Sequence, residues 1–517
     1  MKVEMVGMRI RKYWNDPKKF FSLKAAYIVA FMVHLYGAVN LITNHDDVVI
    51  RYDKYDQTYL GRWMFSFFSK LTGLVYQNNW VVVLLSVSLL ALAVVLIVDI
   101  YQIKSKWAIV LLSGIMMTYP SVASWILYTF NTLCFSFGVL SAVVAVKVLA
   151  ISFKRKKFAF LYVLASGGFV CMSIACYQAF VCITIAMLYT LIWKLGTKVI
   201  SNRRYIYIIC LSSVSLVWGY LLYTIILKII LMITGIELTT YQGMDKMGHI
   251  TVTDTINSVI VAYQKFVSLY FSSAFFKYNI CILINGLLFF FLLLAVLKKL
   301  NYVWNKVGGG RSIWLLLLLL MAPFFINSIY ILTQGRSMVY SNMMYAGVVP
   351  YIVMINLADS GYVKIKYSKF VCCAGIALIT FLCFFICNRA YANQEAVLSL
   401  EKSYANRVAM RIELMKGYDE DTEVYFANPI SYDAYPVLYS QLDTTDNFSS
   451  FIYNDNGMHQ FMLYYLGIDL NSVTDVTKID QILSCSEFEE MPCYPAEGSL
   501  KYINNILVVK FKDGVWQ

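Results

Sequence analysis

Charged residues are scarce in this sequence. Asp, Glu, Lys and Arg make up 14% of its 517 residues, against about a quarter in a soluble globular domain. With 60% hydrophobic residues and a mean hydropathy of +0.63, the chain holds more apolar surface than a water-exposed fold can bury. A single soluble domain is therefore excluded. The signatures of soluble nucleotide and metal chemistry are missing too: there is no GxxxxGK(S/T), no GxGxxG and no HExxH. The glycine-rich VGGGR at 307–311 follows no strand and reads as a flexible connection. ATP-driven transport by this chain alone is not expected. No internal repeat, low-complexity tract or long disordered linker interrupts the chain.

Acids are especially few before the last quarter. Residues 1–387 hold 34 Lys and Arg against 11 Asp and Glu, a net +23, whereas residues 388–517 hold 9 against 19, a net −10. That reversal marks a domain boundary. The basic excess sits at the ends of apolar runs, so it predicts membrane topology and no nucleic-acid partner.

What is present is a series of apolar stretches long enough to cross a hydrocarbon core about 30 Å thick. Eleven spans are expected, near 25–43, 79–99, 107–123, 128–150, 158–175, 179–195, 206–230, 279–297, 312–333, 341–358 and 370–388. Residues 1–24 form a basic N-terminus, and the first apolar run is read as a retained helix, not a cleaved signal. Basic clusters at 104–106, 154–157, 194–204, 298–311 and 364–369 recur at every second loop. All then fall on the cytoplasmic side with the N-terminus. The loops 44–78 and 231–278 and the tail 389–517 fall outside. Leu60–Leu74 and residues 253–271 have the spacing of amphipathic interfacial helices. In the tail, TEVYFANPI and LKYINNILVVKF read as strands, the latter a hairpin around the paired asparagines, and GMHQFMLYYLGI reads as a helix. The expected fold is thus an all-α polytopic membrane protein with a small extracytoplasmic α/β C-terminal domain.

Within residues 1–387 the densest acidic cluster lies just after the first span, in HDDVVIRYDKYDQTYLGR, residues 45–62. Asp46 and Asp47 are paired carboxylates at the membrane boundary. Partial desolvation and a like-charged neighbour both raise proton affinity there, which suits a general base. Arg51 and Arg62 bring planar donor forks that match phosphate oxygens. A base and a phosphate clamp at headgroup depth suit a lipid-phosphate substrate. A solvated juxtamembrane loop is the plainer alternative.

This stretch resembles the opening of the Gtr-type glucosyltransferases that modify O-antigen and other surface polysaccharides. ACYQAF at 175–180 is similar to that family's small-Tyr-Gln-aromatic motif, and GRSMVYSNMMYAGVVPYI at 335–352 to its late outer loop. The resemblance covers roughly residues 1–390 and leaves the tail unassigned. It implies a GT-C-type multi-span enzyme in a bacterial cytoplasmic membrane. Such an enzyme takes a hexose, most often glucose, from a polyprenyl-phosphate sugar on the outer face and transfers it with inversion to a surface polysaccharide or wall polymer. A flippase and a donor-synthesising enzyme are then expected as partners. By the same resemblance, Asp46 or Asp47 is the base, and Arg51, Arg62 and Arg336 bind the carrier phosphate. Tyr177 and Gln178 line the cavity, although both could equally mark a helix end at the interface.

Asp245 and His249 in the second outer loop are candidate acceptor contacts, or parts of a solvated loop. His34, inside the first span, is either functional or bonded to a neighbouring helix. Asp99 reads as a solvated helix-end residue. Cys485 and Cys493, the two cysteines in the polar tail, form a short-loop disulfide or stay separate thiols. The HDD sequence offers oxygen ligands, but no metal or other cofactor is predicted. A lipid-linked sugar flippase would put charges deeper in the bundle, and a polysaccharide polymerase would have an Arg-rich middle loop. Residues 231–278 contain no Arg.

Overall fold

The computed structural model describes residues 15–44, 46–48, 57–72, 79–153, 158–239, 252–332, 339–360, 368–428 and 454–512. The chain divides into two compact units. The first comprises residues 1–40, 56–126 and 131–388, and the second residues 41–55, 127–130 and 389–517.

The first unit is helical. It opens with α1 (Pro17–Val39), where Pro17 occupies the first turn and the Asp16 side chain accepts the Lys18 N–H at 3.0 Å. Asp16 thereby satisfies a donor that the helix itself leaves open. After a 3₁₀ turn at Gln57–Leu60 come α2 (Trp63–Thr72), α3 (Asn79–Tyr101), α4 (Lys106–Thr118) and α5 (Pro120–Leu127). Then follow α6 (Thr132–Ser152), α7 (Ala159–Cys176) and α8 (Val181–Gly196). The 33-residue α9 (Asn202–Thr234) ends at Gly235, whose φ of 69° only glycine adopts without cost. At roughly 50 Å it exceeds the thickness of a hydrocarbon core.

Beyond it lie α10 (Val252–Phe271), α11 (Ser273–Phe276) and α12 (Asn279–Lys306). Three short helices, α13 (Gly309–Leu320), α14 (Ala322–Ile326) and α15 (Ile329–Leu332), precede α16 (Val349–Asp359). The 46-residue α17 (Ser368–Glu413) contains the boundary between the units at Asn388 and Arg389.

Among the described residues, eight helices are long and apolar enough to cross a membrane, and α4 with α5, bent by 43° at Tyr119–Pro120, makes a ninth. This differs from the eleven expected spans. The stretch expected at 312–333 is broken after Leu320, where Pro323 in the first turn of α14 cannot donate to the preceding turn. The stretch expected at 341–358 begins with tight turns at Ser341–Met343 and Tyr345–Val348, leaving only α16 as regular helix. Both expected interfacial stretches are helical, as α2 and α10. Helix α10 exposes Ile256, Ile260, Tyr263 and Val267 at helical spacing along one side.

Helices α6 and α7, α7 and α9, α3 and α6, and α1 with α3 and α4 pack against one another. Large apolar side chains such as Val214, Val217 and Ile225 on α9 stay exposed, as a lipid-facing helix requires. His34 is buried and donates from Nε2 to the Met117 carbonyl of α4 at 2.7 Å. Asp99 is not a solvated end residue. Its carboxylate accepts from Lys147 at 3.1 Å and has Lys19 at 3.9 Å.

The second unit is a small α/β assembly. Strands β1 (Val424–Ala427), β2 (Leu500–Ile503) and β3 (Ile506–Lys510) form a sheet in the order β1–β3–β2. The β1–β3 pair is parallel, with Val424 opposite Leu507. The β2–β3 pair is an antiparallel hairpin through Asn504 and Asn505, at φ 52° and 65°. Two left-handed asparagines are the turn such a two-residue hairpin needs. Helices α18 (Asp455–Phe461), α19 (Val476–Leu483) and α20 (Ser486–Glu489) lie between β1 and β2 in sequence. Side chains alternate across the sheet. Val424, Phe426, Leu507 and Val509 join Val408, Ile412, Met458 and Phe461 on one face. Tyr425, Ile506 and Val508 join Ile482, Phe488 and Met491 on the other. Buried Lys510 donates to the carbonyls of Phe488, Glu489 and Met491 at 2.8–3.1 Å. Val48, from the expected first outer loop, packs in the first of these cores.

Candidate active site

Two of the expected site clusters lie among the described residues, one in each unit. In the second unit, Asn44, Asp46, Asp47 and Val48 form the start of a helical turn. The Asn44 side chain accepts the Asp46 N–H at 3.2 Å, and Asp47 Oδ2 accepts the Asn44 N–H at 2.6 Å. This is a reciprocal capping box. Asp47 Oδ1 also accepts the Phe130 N–H at 3.1 Å and the Thr129 hydroxyl. Both oxygens of Asp47 are thus held, and the side chain is fully buried. Asp46 is half-buried. The paired acids are therefore not equivalent: Asp47 fastens the turn, and Asp46 sits on it with more access to solvent.

In the first unit, Arg62 follows Gly61, whose φ of 72° is left-handed. This conformation lets the Gly61 N–H reach Thr58 O at 2.8 Å while its own carbonyl accepts the Tyr223 hydroxyl at 3.0 Å. A residue with a Cβ would be strained there. The guanidinium of Arg62 lies 4.5 Å from the centre of the Tyr177 ring, and its Nε donates to Gln178 Oε1 at 3.5 Å. The Gln178 amide donates to the Leu60 carbonyl at 2.7 Å and to Tyr223 Oη at 3.4 Å.

Tyr177 sits in the break between α7 and α8 and is buried, with its hydroxyl 3.4 Å from Asn342 Oδ1. Phe135 and Phe180 pack on its ring at 5.1 and 5.4 Å. The Asn342 carbonyl in turn accepts from the Trp125 indole at 2.9 Å. Among the described residues no carboxylate pairs with Arg62. A half-buried cation held by a ring face and a neutral amide retains positive charge for an anion.

Three motifs far apart in sequence thus meet here: GR at 61–62, Tyr-Gln at 177–178 and the late segment at Asn342. Asn342, Tyr223 and Thr129 were not singled out from the sequence. Asn342 lay in a quoted motif as one more polar residue, and Tyr223 in a long apolar helix, so only the fold reveals their partners. Arg51, Arg336, Asp245 and His249 lie outside the described residues, as does His45. Among the described residues no disulfide joins Cys485 to Cys493. Cys485 instead packs beside the Tyr425–Val508 core.

Residues 35–351, well over half of the chain, match the model of the family described as glucosyl transferase GtrII. No curated protein and no solved structure matches the chain. The matched stretch contains the paired acids, Arg62, the Tyr-Gln break and Asn342. The chain belongs to the GtrII glucosyl transferase family, and is a multi-pass membrane glucosyltransferase.

Proposed function

We propose that this glucosyltransferase takes glucose from a polyprenyl-phosphate donor and passes it, with inversion, to a surface polysaccharide or wall polymer. The acceptor hydroxyl attacks the anomeric carbon as the bond from that carbon to the phosphate oxygen breaks. The polyprenyl phosphate departs with the electron pair, and the hydroxyl proton passes to a carboxylate. The observation that carries this reading is Arg62, a half-buried guanidinium stacked on Tyr177 with no acidic partner among the described residues. Positive charge at that point offsets the charge that develops on a leaving phosphate. Arg51 and Arg336 are proposed to share this role, and no metal is needed where guanidinium groups supply the charge.

Asp46 is the proposed base, since Asp47 already uses both oxygens to hold its turn. Tyr177 and Gln178 are proposed to face the sugar, and Asp245 and His249 the acceptor. In the proposed topology the bent pair and the two segmented stretches complete eleven crossings, with basic loops in the cytoplasm and the second unit outside. This fits a bacterial cytoplasmic membrane, with a flippase and a donor-synthesising enzyme supplying the donor.

The test is turnover by the purified full-length chain in lipid, with an envelope polysaccharide fraction as acceptor. Glucose is offered as the polyprenyl phosphate or as the nucleotide sugar, and the product anomer is read by NMR. Transfer from the polyprenyl donor alone, with inversion, is expected. Use of the nucleotide sugar, retention of configuration, or transbilayer movement of intact donor would overturn the proposal.

A further inference from the structure

A second charged site lies in the first unit, at the far end of α8 from Gln178. The 16 residues of α8 place the two ends roughly 24 Å apart. Here the ends of α3, α8, α12 and α16 surround a cavity of about 420 Å³ whose lining includes Lys104, Lys194, Lys198, Lys299 and Asp359. An adjoining cavity of about 560 Å³ shares Lys194 and Lys198 and adds Lys147, Arg204 and Asp99.

Both acids are already engaged. Asp359 accepts the backbone N–H groups of Lys104 at 2.6 Å and Ser105 at 3.1 Å, which ties the α3–α4 loop to the end of α16. Asp99 pairs with Lys147. The wall is also fixed. The Lys194 ammonium and the Asn356 amide both donate to the Tyr101 carbonyl at 2.7 Å. Lys198 is exposed at the rim and Lys299 is half-buried.

Four lysines around one space, against a single aspartate that binds backbone, give the cavity a positive potential that favours the entry of an anion. The volume suits a small polar headgroup. Basic pockets between the ends of membrane helices have the chemistry that holds lipid phosphates. We propose that this lysine-lined cavity binds a phosphate group, carried by the headgroup of an anionic lipid of the leaflet at that end of the bundle. The site does not depend on the glucosyl-transfer reading.

The full-length protein is reconstituted in nanodiscs of phosphatidylcholine with or without phosphatidylglycerol. Retained lipid is counted by native mass spectrometry and thermal stability is followed in parallel. Wild type is expected to retain phosphatidylglycerol selectively and to melt higher with it. Lys198→Gln with Lys299→Gln lowers that retention on the order of tenfold. Lys298→Gln, an exposed neighbour outside the cavity lining, leaves it unchanged. Lys198→Gln alone alters only a rim side chain and gives the same direction if the double variant fails to fold. Inorganic phosphate is titrated in a second arm. If it stabilises the wild type saturably through the same lysines and no lipid is retained, the phosphate comes from a soluble source. No preference for phosphatidylglycerol together with no saturable phosphate effect would overturn the proposal. So would equal behaviour of the lysine variants and Lys298→Gln.

Discussion

The guanidinium of Arg62 lies over the ring of Tyr177, 4.5 Å from its centre, while its Nε reaches Gln178. Tyr177 is itself fixed by Asn342 and by Phe135 and Phe180. A planar cation is held over the ring by this arrangement, with its Nε directed at an amide oxygen, which a lysine ammonium cannot reproduce. Arg62→Lys keeps the charge and loses the stack and the fork. Steady-state kinetics are expected to show the donor KM rising by roughly tenfold or more, with a smaller change in kcat. An unchanged KM would mean that Arg62 does not contact donor.

Asp47 accepts from two backbone N–H groups and one hydroxyl while fully buried. In Asp47→Asn, one carboxylate oxygen becomes an NH2 group that faces donors. A loss on the order of 2–4 kcal/mol is expected, seen as a lower melting temperature of the purified protein. Asp46→Asn keeps the backbone bond to Asn44 and is expected to melt close to wild type. Equal melting of wild type and Asp47→Asn would remove the structural role given to Asp47.

Gly138 on α6 tests how the Tyr-Gln break is supported. A Cβ there would lie 2.5 Å from Phe180 Cδ2 and 2.9 Å from Cys176 Cβ. Gly138→Ala therefore pushes on both flanks of the turn that carries Tyr177 and Gln178. Overpacking of this kind costs about 1–3 kcal/mol, and the donor KM should rise with it. Gly168→Ala, where a Cβ meets nothing within 4 Å, is the matched control. Its helix should be no less stable, since Ala is the better helix former.

The sequence made some of this legible. Apolar run length found the long helices, because crossing a membrane demands a fixed length. The paired asparagines located the hairpin, because left-handed turns select few residues. Pro323 was the overlooked signal in the stretch read as one span over 312–333, where ring geometry breaks the helix. Arg62, Tyr177 and Gln178 were recognisable as motif residues, yet their mutual contact spans 116 positions of the chain and no local pattern encodes it. The different environments of Asp46 and Asp47 were equally hidden. They depend on Thr129 and Phe130, more than 80 residues away. Nor did periodicity show that Val48 packs with Val408 and Phe461, since a contact across some 360 positions of the chain leaves no trace in a polar loop.

The most direct test of the central claim compares turnover of polyprenyl-phosphate-glucose by wild type, Asp46→Asn and Asp47→Asn, each purified in lipid at a temperature where all three stay folded. Asp46→Asn should lose about two to four orders of magnitude in kcat, the usual contribution of a general base, while still binding donor. Asp47→Asn should keep a larger share of its turnover and show its defect in stability. Wild-type turnover by Asp46→Asn would contradict the account.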